Sequence, residues 1–174
     1  MSSTYQAGYK FSQLKAFLKN TLGPKLAKNL EAEMNKIQLI LSPKNRGQGY
    51  DLCYQRYTVE LYIERLPFKA YSPATLLANV SAWLVEHDSE RFDNNDLEDP
   101  VIEVILGDDD SAEVLIELEL EEPIKIKPDE KGSVYWNGQR WSVEQYDIWH
   151  AENLVDVSVS IKPNELDAAN DAGN

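Results

Sequence analysis

Apolar and polar residues alternate from position 58 to 64 and again from 113 to 121. Because successive side chains of a strand point to opposite faces of a sheet, this two-residue period predicts two strands, each with one buried and one solvated face. In the second strand the apolar residues form the predicted buried face and glutamates form the solvated face. These glutamates are Glu113, Glu117, Glu119 and Glu121.

Turn residues between apolar runs predict further strands and hairpins. Residues 101–106 precede the charged turn 107–111 and are therefore expected to pair with 113–121 in an antiparallel hairpin. Residues 44–49 are typical of an exposed hairpin loop. Alternating apolar residues at 155–161 predict a last strand.

The dipeptide Asn137-Gly138 is the strongest hairpin signal in the chain. Asn and Gly tolerate the positive backbone angles of the tight turns that join antiparallel strands. A two-residue turn at this point would place Tyr135 opposite Arg140 and Val134 opposite Trp141.

Two segments have the apolar period of a helix. The first is predicted over residues 9–21 and ends at Gly23-Pro24, whereas the second starts at Ser72-Pro73 and ends near His87-Asp88. Trp83 is the largest residue on the apolar stripe of the second helix. Residues 26–37 are ambiguous, and we expect a helical or irregular segment that becomes a strand near Lys36.

Together these elements predict an α+β fold. We expect a single domain over residues 1–163, built from a mostly antiparallel twisted sheet packed against two or three helices, with a late β-hairpin. Residues 164–174 follow Pro163 and are rich in Asp, Asn, Ala and Gly. Such a composition buries little apolar area, which predicts an acidic flexible tail.

The charge of the chain narrows the classes of partner. It has 30 acidic and 17 basic residues among 174, with a formal net charge of −13. This balance argues against specific nucleic-acid binding and against anionic membranes, because both require clustered Lys and Arg. The N-terminus lacks the pattern of a signal peptide, and a single cysteine, Cys53, cannot form an intrachain disulfide. We therefore expect synthesis in the cytoplasm.

Candidate chemical sites are weak. The acidic residues of segments 93–99 and 108–110 could bind calcium, but their spacing fails the EF-hand pattern, and a solvated acidic loop is the favoured interpretation. Paired carboxylates for hydrolysis would need a pocket that raises one pKa. Cys53, His87 and His150 lack a protease signature, so a buried inert thiol is favoured. We expect no enzyme activity, no metal and no cofactor.

An aromatic group surrounds the predicted late hairpin. It could form a minor hydrophobic core, a protein interface or a sugar-binding surface, and the first two interpretations are favoured over the third. The candidate interface residues are Tyr135, Trp136, Arg140, Trp141 and Trp149.

Several short pieces of sequence occur in a distinctive order. Arg56-Tyr57-Thr58-Val59 opens a predicted strand, Val80-Ser81-Ala82-Trp83-Leu84 lies within the second helix, Glu86-His87 lies near its end, and Asn137-Gly138 forms the late hairpin. In order and separation they resemble the tail completion protein R family of contractile-tailed phages. The resemblance covers about half of the chain, and the chain departs from the family at 44–49 and 144–174.

The resemblance implies a tail terminator in the virion. Such a subunit is expected to form a hexameric ring that caps the tail tube, stops its elongation and offers a surface to the head connector. Expected partners are further copies of this chain, the tail tube protein, a neck or connector protein and the sheath. In a ring, the glutamates from 113 to 121 would line an acidic channel for DNA. In a monomer they would be only the solvated face of a strand. An aromatic-lined sugar- or peptide-binding module is the main alternative.

Overall fold

Two helices lie on one face of a curled antiparallel sheet in the computed structural model, which describes residues 8–93 and 96–145. The helices are α1 (Tyr9–Ala27) and α2 (Pro73–His87). The strands are β1 (Leu30–Ile40), β2 (Lys44–Asn45), β3 (Tyr50–Leu66), β4 (Val101–Leu106), β5 (Ala112–Pro128), β6 (Val134–Trp136) and β7 (Gln139–Val143). The predicted α+β class is confirmed.

Strands β3 and β5, each 17 residues long, form the centre of the sheet. Strand β1 lies at one edge beside β3. The other side of β5 is shared by β4, which pairs with its first half, and β7, which pairs with its last residues. The predicted strands at 58–64, 101–106 and 113–121 are confirmed, although β3 and β5 extend beyond the predicted limits.

The alternation of apolar residues explains the buried side of the sheet. Val59 lies opposite Leu118, and Leu61 lies opposite Ile116, with all four side chains buried. The apolar residues of both helices cover this side and complete one core. Its buried members are Phe11, Leu14, Leu18, Leu22, Leu30, Tyr57, Val59, Leu61, Ile63, Leu66, Leu76, Val80, Trp83, Leu84, Ala112, Val114, Ile116, Leu118 and Leu120.

The predicted end of the first helix is wrong in detail. Gly23 breaks the helical geometry with φ 77° and ψ 166°, but helical structure resumes at Pro24 and continues to Ala27. Glycine accepts this positive φ, and proline is tolerated because it begins a new helical turn, where its missing N–H has no partner to lose. The Gly-Pro pair therefore kinks α1 instead of ending it.

The prediction for residues 26–37 is also wrong. Strand β1 begins at Leu30, and its residues 30–35 pair in register with 63–58 of β3. Lys36, where the strand was expected to begin, instead lies at a bulge with φ 50°. The spacing of Leu30 and Met34 also fits an alternating strand, so pairing with β3 decides between the two structures.

The second helix agrees with its prediction. It begins at Pro73 after the N-cap residue Ser72, although the Ser72 side chain makes no capping hydrogen bond. Trp83 is 2% exposed and stacks on His87, with ring centroids 5.1 Å apart. No helix among the described residues has the length and apolar character needed to cross a membrane.

The late hairpin forms with the predicted register. Tyr135 lies opposite Arg140, and Val134 lies opposite Trp141. Asn137 and Gly138 have φ values of 52° and 74°. Positive φ at both central residues is the requirement of a type I′ turn, which explains the choice of Asn-Gly. The last predicted strand, at 155–161, and the tail at 164–174 lie outside the described residues.

A buried polar network holds the start of α1 against the sheet. Glu122 accepts hydrogen bonds from the Lys10 backbone N–H at 2.9 Å, the Tyr57 hydroxyl at 3.0 Å and the Gln55 amide at 2.8 Å. The Tyr57 hydroxyl in turn accepts the backbone N–H of Phe11 at 3.2 Å. Two backbone donors at the start of α1 are thus capped by residues of distant strands.

The same network reaches the end of α2. The Lys10 ammonium lies 2.6 Å from the Asp88 carboxylate and donates to the Glu121 carbonyl at 2.9 Å. Arg91 lies 3.2 Å from Asp88 and donates to the Glu119 carbonyl at 2.7 Å. These two cations therefore bind backbone carbonyls of β5 between the segments that β4 and β7 cover.

Candidate functional site

The sheet face opposite the helices is strongly acidic, and we call it the acidic outer face. Its glutamates come from four neighbouring strands, and strand pairing places them on one side. It contains the four predicted glutamates of β5 together with residues that were not predicted. Its members are Glu31, Glu33, Glu60, Glu103, Glu113, Glu117, Glu119 and Glu121.

Three of these glutamates form a lateral row across the sheet. Glu33 pairs with Glu60, and Glu60 pairs with Glu117, so like charges lie directly opposite each other on β1, β3 and β5. Such cross-strand pairs are destabilising. Asn35 donates to the Glu60 carboxylate at 3.0 Å, and the Lys36 ammonium lies 3.9 Å from Glu117. These neighbours offset only part of the repulsion, since Lys36 and Glu117 are both substantially exposed.

Along β5, Glu121 differs from the other glutamates of the acidic outer face. Arg56 donates through two nitrogens to one oxygen of Glu121, at 2.8 and 2.7 Å. Both side chains are about four-fifths buried. Glu121 therefore belongs to an ion pair, whereas Glu113 and Glu117 project from the exposed middle and far end of the face. Arg56 opens the Arg-Tyr piece on which the family resemblance was based.

The late hairpin contributes one aromatic residue to the interior. Trp141 is 3% exposed, and its ring nitrogen donates to the Trp136 carbonyl at 2.8 Å. The rings of Trp136 and Trp141 meet Tyr50 edge-on, with centroids 4.8 and 5.6 Å from it. These three rings form a small aromatic core between the hairpin and β3.

The other side of the hairpin is open to solvent. Tyr135 is 72% exposed, and the Arg140 guanidinium lies 5.0 Å from the centre of its ring and donates to its hydroxyl at 2.9 Å. A depression of about 300 Å³ is lined only by the consecutive hairpin residues 135–140. Trp149, the remaining predicted member of this group, lies outside the described residues.

Strand β4 presents an apolar edge. All of its residues are exposed, on both faces of the sheet. Val101 and Ile105 lie on the acidic outer face, while Ile102, Val104 and Leu106 lie on the helix side beyond the cover of α2. A contiguous exposed apolar strand at a sheet edge is an interaction surface or an aggregation hazard.

The acidic turn between β4 and β5 is used in ion pairs. Asp109 lies 2.9 Å from Arg65, and Asp110 lies 2.7 Å from Lys69. Hydrogen bonds from Ser111 and Arg65 lower the pKa of the Asp109 carboxyl. Within residues 8–93 and 96–145, no group of three or more His, Cys, Asp or Glu side chains is placed to hold a metal ion. Cys53 is buried, and burial raises the pKa of its thiol, which disfavours the reactive thiolate.

The acidic outer face, the late hairpin and the β4 edge all lie in a segment with known relatives. Residues 8–145 match the family model of P2 phage tail completion protein R (GpR). The chain belongs to this family. As a member of the tail completion protein R family it has a phage tail completion role, is a structural component of the virion and interacts with other tail components. The resemblance found from the sequence is confirmed.

One curated relative is similar to this chain over nearly its whole length. It is described as an uncharacterized 19.2 kDa protein in the rep-hol intergenic region of Haemophilus phage HP1 (strain HP1c1), and it is 25% identical over 153 residues. The alignment covers 87% of this chain and 91% of the relative. No solved structure matches the chain.

Sequence reasoning located the β5 glutamates but missed their neighbours. Glu31 and Glu33 alternate with Ala32 and Met34, which is a strand signal that a competing helical spacing obscured. The pairing of Arg56 with Glu121 was beyond sequence reasoning, because the two residues are 65 positions apart. The apolar run of β4 was recognised as a strand, but its position at the edge of the described sheet depends on the topology.

Proposed function

We propose that this tail completion protein is a tail terminator. Six copies form a ring that caps the head-proximal end of the tail tube, stops its elongation and offers a surface to the head connector. Assembly takes place in the host cytoplasm before the ring becomes part of the virion. The partners are the tube protein, a neck or connector protein and the sheath.

The acidic outer face is the observation that supports this function best. Within the described part of the chain no helix lies on this face, which carries eight glutamates, with Arg56 beside Glu121 and Lys36 beside Glu117. If the acidic outer face lines the centre of a ring, it would repel the phosphates of a DNA duplex that passes through. Contact would release no counterions from the DNA, so binding would not be favoured. A hexamer would carry a formal charge of −78, which is six times the −13 of one chain.

The late hairpin is the surface that we propose for a neighbouring tail protein. Tyr135 and Arg140 are exposed and preorganised by their mutual contact. Tyr, Trp and Arg are the residues that most often dominate protein interfaces. We extend this role to Trp136, Trp141 and Trp149, with Trp141 supporting the hairpin from inside the aromatic core. The acidic tail, residues 164–174, is proposed to contact a neck or sheath protein.

Electron microscopy of negatively stained samples tests the proposal. The purified protein is imaged alone and after mixing with sheared tail tubes from the same phage. We expect six-fold rings, or a cap at one end of each tube. Monomers that do not bind the tubes would contradict the terminator function. They would favour the alternative, in which the late hairpin binds a sugar or a peptide. Tubes incubated with an unrelated acidic protein of similar size provide the control.

A further inference from the structure

Strands β1 and β4 lie at edges of the sheet that no other described strand covers, and they run in opposite directions. Strands β1 and β3 are antiparallel, as are β3 and β5, and β5 and β4. The β1 strand at one edge therefore runs opposite to the β4 strand at the other. If a second copy continues the sheet in the same orientation, its β1 meets β4 as an antiparallel partner.

Both edges expose apolar side chains. On β4, Ile105 is 62% exposed and Leu106 is 69% exposed. On β1, Ile37 is 45% exposed and Leu39 is 56% exposed. Exposed apolar edge strands are usually shortened, charged or covered in soluble proteins, because their unpaired backbone groups readily accept another strand. Strand β4 carries a single charge, Glu103, and no proline.

The charges beside the two edges are complementary. Acidic residues flank β4, with Glu98 and Asp99 before it and Asp108 after it. Lysines flank β1, with Lys28 before it and Lys44 after it. In an antiparallel pair the residues before one strand approach those after the other. When β4 pairs with the last residues of β1, Lys44 would therefore face Glu98 and Asp99, whereas a β4–β4 pair would bring the acidic groups together.

None of these five flanking residues forms an ion pair with another residue in the described part of the chain. By contrast, the neighbouring acids Asp109 and Asp110 are already paired with Arg65 and Lys69. Within the described part of the chain, the five flanking charges are thus available to an incoming strand.

We infer that β4 of one copy pairs with β1 of the next copy, so that the sheet continues from subunit to subunit. This inference names the subunit contact of the proposed ring and rests on that proposed function. The contact is heterologous, because each copy uses two different surfaces, and repeated contacts of this kind close into a ring when the rotation between copies permits. The acidic outer faces of successive copies then form one continuous surface.

Edge-blocking variants test the pairing. Ile105→Lys places a charge on the β4 edge, and Leu39→Lys places one on the β1 edge. Val85→Lys is the matched control, since Val85 is 59% exposed but lies on α2. Each variant is first checked for unchanged melting, and its mass is then measured by light scattering, alone and with tail tubes.

We expect the wild type and Val85→Lys to assemble and each edge variant to remain a 19.8 kDa monomer. An equimolar mixture of the two edge variants should give a dimer. In this dimer the unchanged β1 edge of Ile105→Lys pairs with the unchanged β4 edge of Leu39→Lys. Normal rings from both edge variants would overturn the pairing and leave the terminator function standing. Assembly of Leu39→Lys alone would overturn it in favour of a β4–β4 contact. A wild type that forms no assembly, even with tubes, would contradict the terminator function itself.

Discussion

The Glu122 carboxylate accepts the backbone N–H of Lys10 at 2.9 Å, although the two residues lie 112 positions apart in the chain. Gly8, the residue before α1, has no side chain with which to cap the helix. A side chain added at Gly8 would collide with the Glu122 carboxylate. Glycine at position 8 therefore cannot cap α1 itself, but it leaves room for Glu122 to do so. In this way a residue of β5 fixes the position of the start of α1.

Removing the distant cap should destabilise the fold. In Glu122→Ala the buried donors of Lys10, Tyr57 and Gln55 lose their acceptor, and we expect the free energy of unfolding to fall by about 1–3 kcal/mol. Urea denaturation measures this change. Glu113→Ala, at an exposed position of the same strand, is the control and should change stability by less than about 0.5 kcal/mol. Equal effects of the two substitutions would show that the network contributes nothing specific.

The same carboxyl predicts a pH dependence. Burial raises the pKa of Glu122 above its ordinary 4.5, and this outweighs the hydrogen bonds that lower it. The folded chain then binds more protons than the unfolded chain, so the contribution of Glu122 to stability is fully present below pH 4.5 and is lost as the pH rises through the folded pKa. The difference in unfolding free energy between the wild type and Glu122→Gln should therefore decrease from pH 4 towards about pH 7. If the difference in unfolding free energy instead increases over this pH range, the pKa of Glu122 is lowered in the folded chain, not raised.

The glutamate row predicts a stabilising substitution. Glu60 lies between Glu33 and Glu117, and Glu60→Gln removes both like-charge pairs while keeping an oxygen for the Asn35 amide. We expect the free energy of unfolding to rise by about 0.2–1 kcal/mol at low salt. The gain should shrink when salt screens the charges. Urea melts at two ionic strengths test this, and a loss of stability at both would contradict it.

The buried face of α2 predicts a large loss at Trp83. Its side chain is 2% exposed within the core, and Trp83→Ala should cost about 3–5 kcal/mol through the cavity it leaves. Thermal melting and urea denaturation measure the loss. Val85→Ala, at an exposed position of the same helix, is the control. Melting of Trp83→Ala at the wild-type temperature would be incompatible with this packing.

The proposed lumen predicts a change in DNA binding. Replacing Glu113, Glu117 and Glu119 by Lys turns part of the acidic outer face basic, and assembled rings should then retain duplex DNA in a salt-dependent manner. Filter binding or gel shift at low salt measures retention. The control makes the same charge change at exposed acids away from this face and from the proposed subunit contact, namely Glu86, Glu90 and Glu130. Equal retention by both variants would mean that net charge alone, not the lumen, controls binding.

The C-terminal tail predicts a defect that is confined to assembly. Deleting residues 164–174 should leave the melting temperature unchanged but reduce the joining of tails to heads, because the tail is proposed to contact a neck or sheath protein. Complementation of a phage that lacks the protein, scored by microscopy for free heads and tails, measures the defect. Normal joining would eliminate this role for the tail.

Much of the fold could be predicted from local patterns. The alternation around Glu117, the Pro73 start of α2 and the Asn137-Gly138 turn each depend on fewer than about ten neighbouring residues, and steric preferences act strongly over that range. The four β5 glutamates were placed on one face for the same reason. The choice between helix and strand at 30–37 could not be made locally, because both periods fit the sequence.

The sequence by itself therefore determined the central strands, α2, the late hairpin and the acidic side of β5, since each is set by a short-range period or by turn chemistry. Only the tertiary structure decided that β1 pairs with β3, that Glu33, Glu60 and Glu117 form one row, and that Glu122 caps α1. It also decided that, among the described strands, β4 lies at the edge of the sheet with its apolar residues exposed. Strand order and register join residues far apart in the chain, and these long-range contacts are selected by burial of the whole core rather than by any local segment.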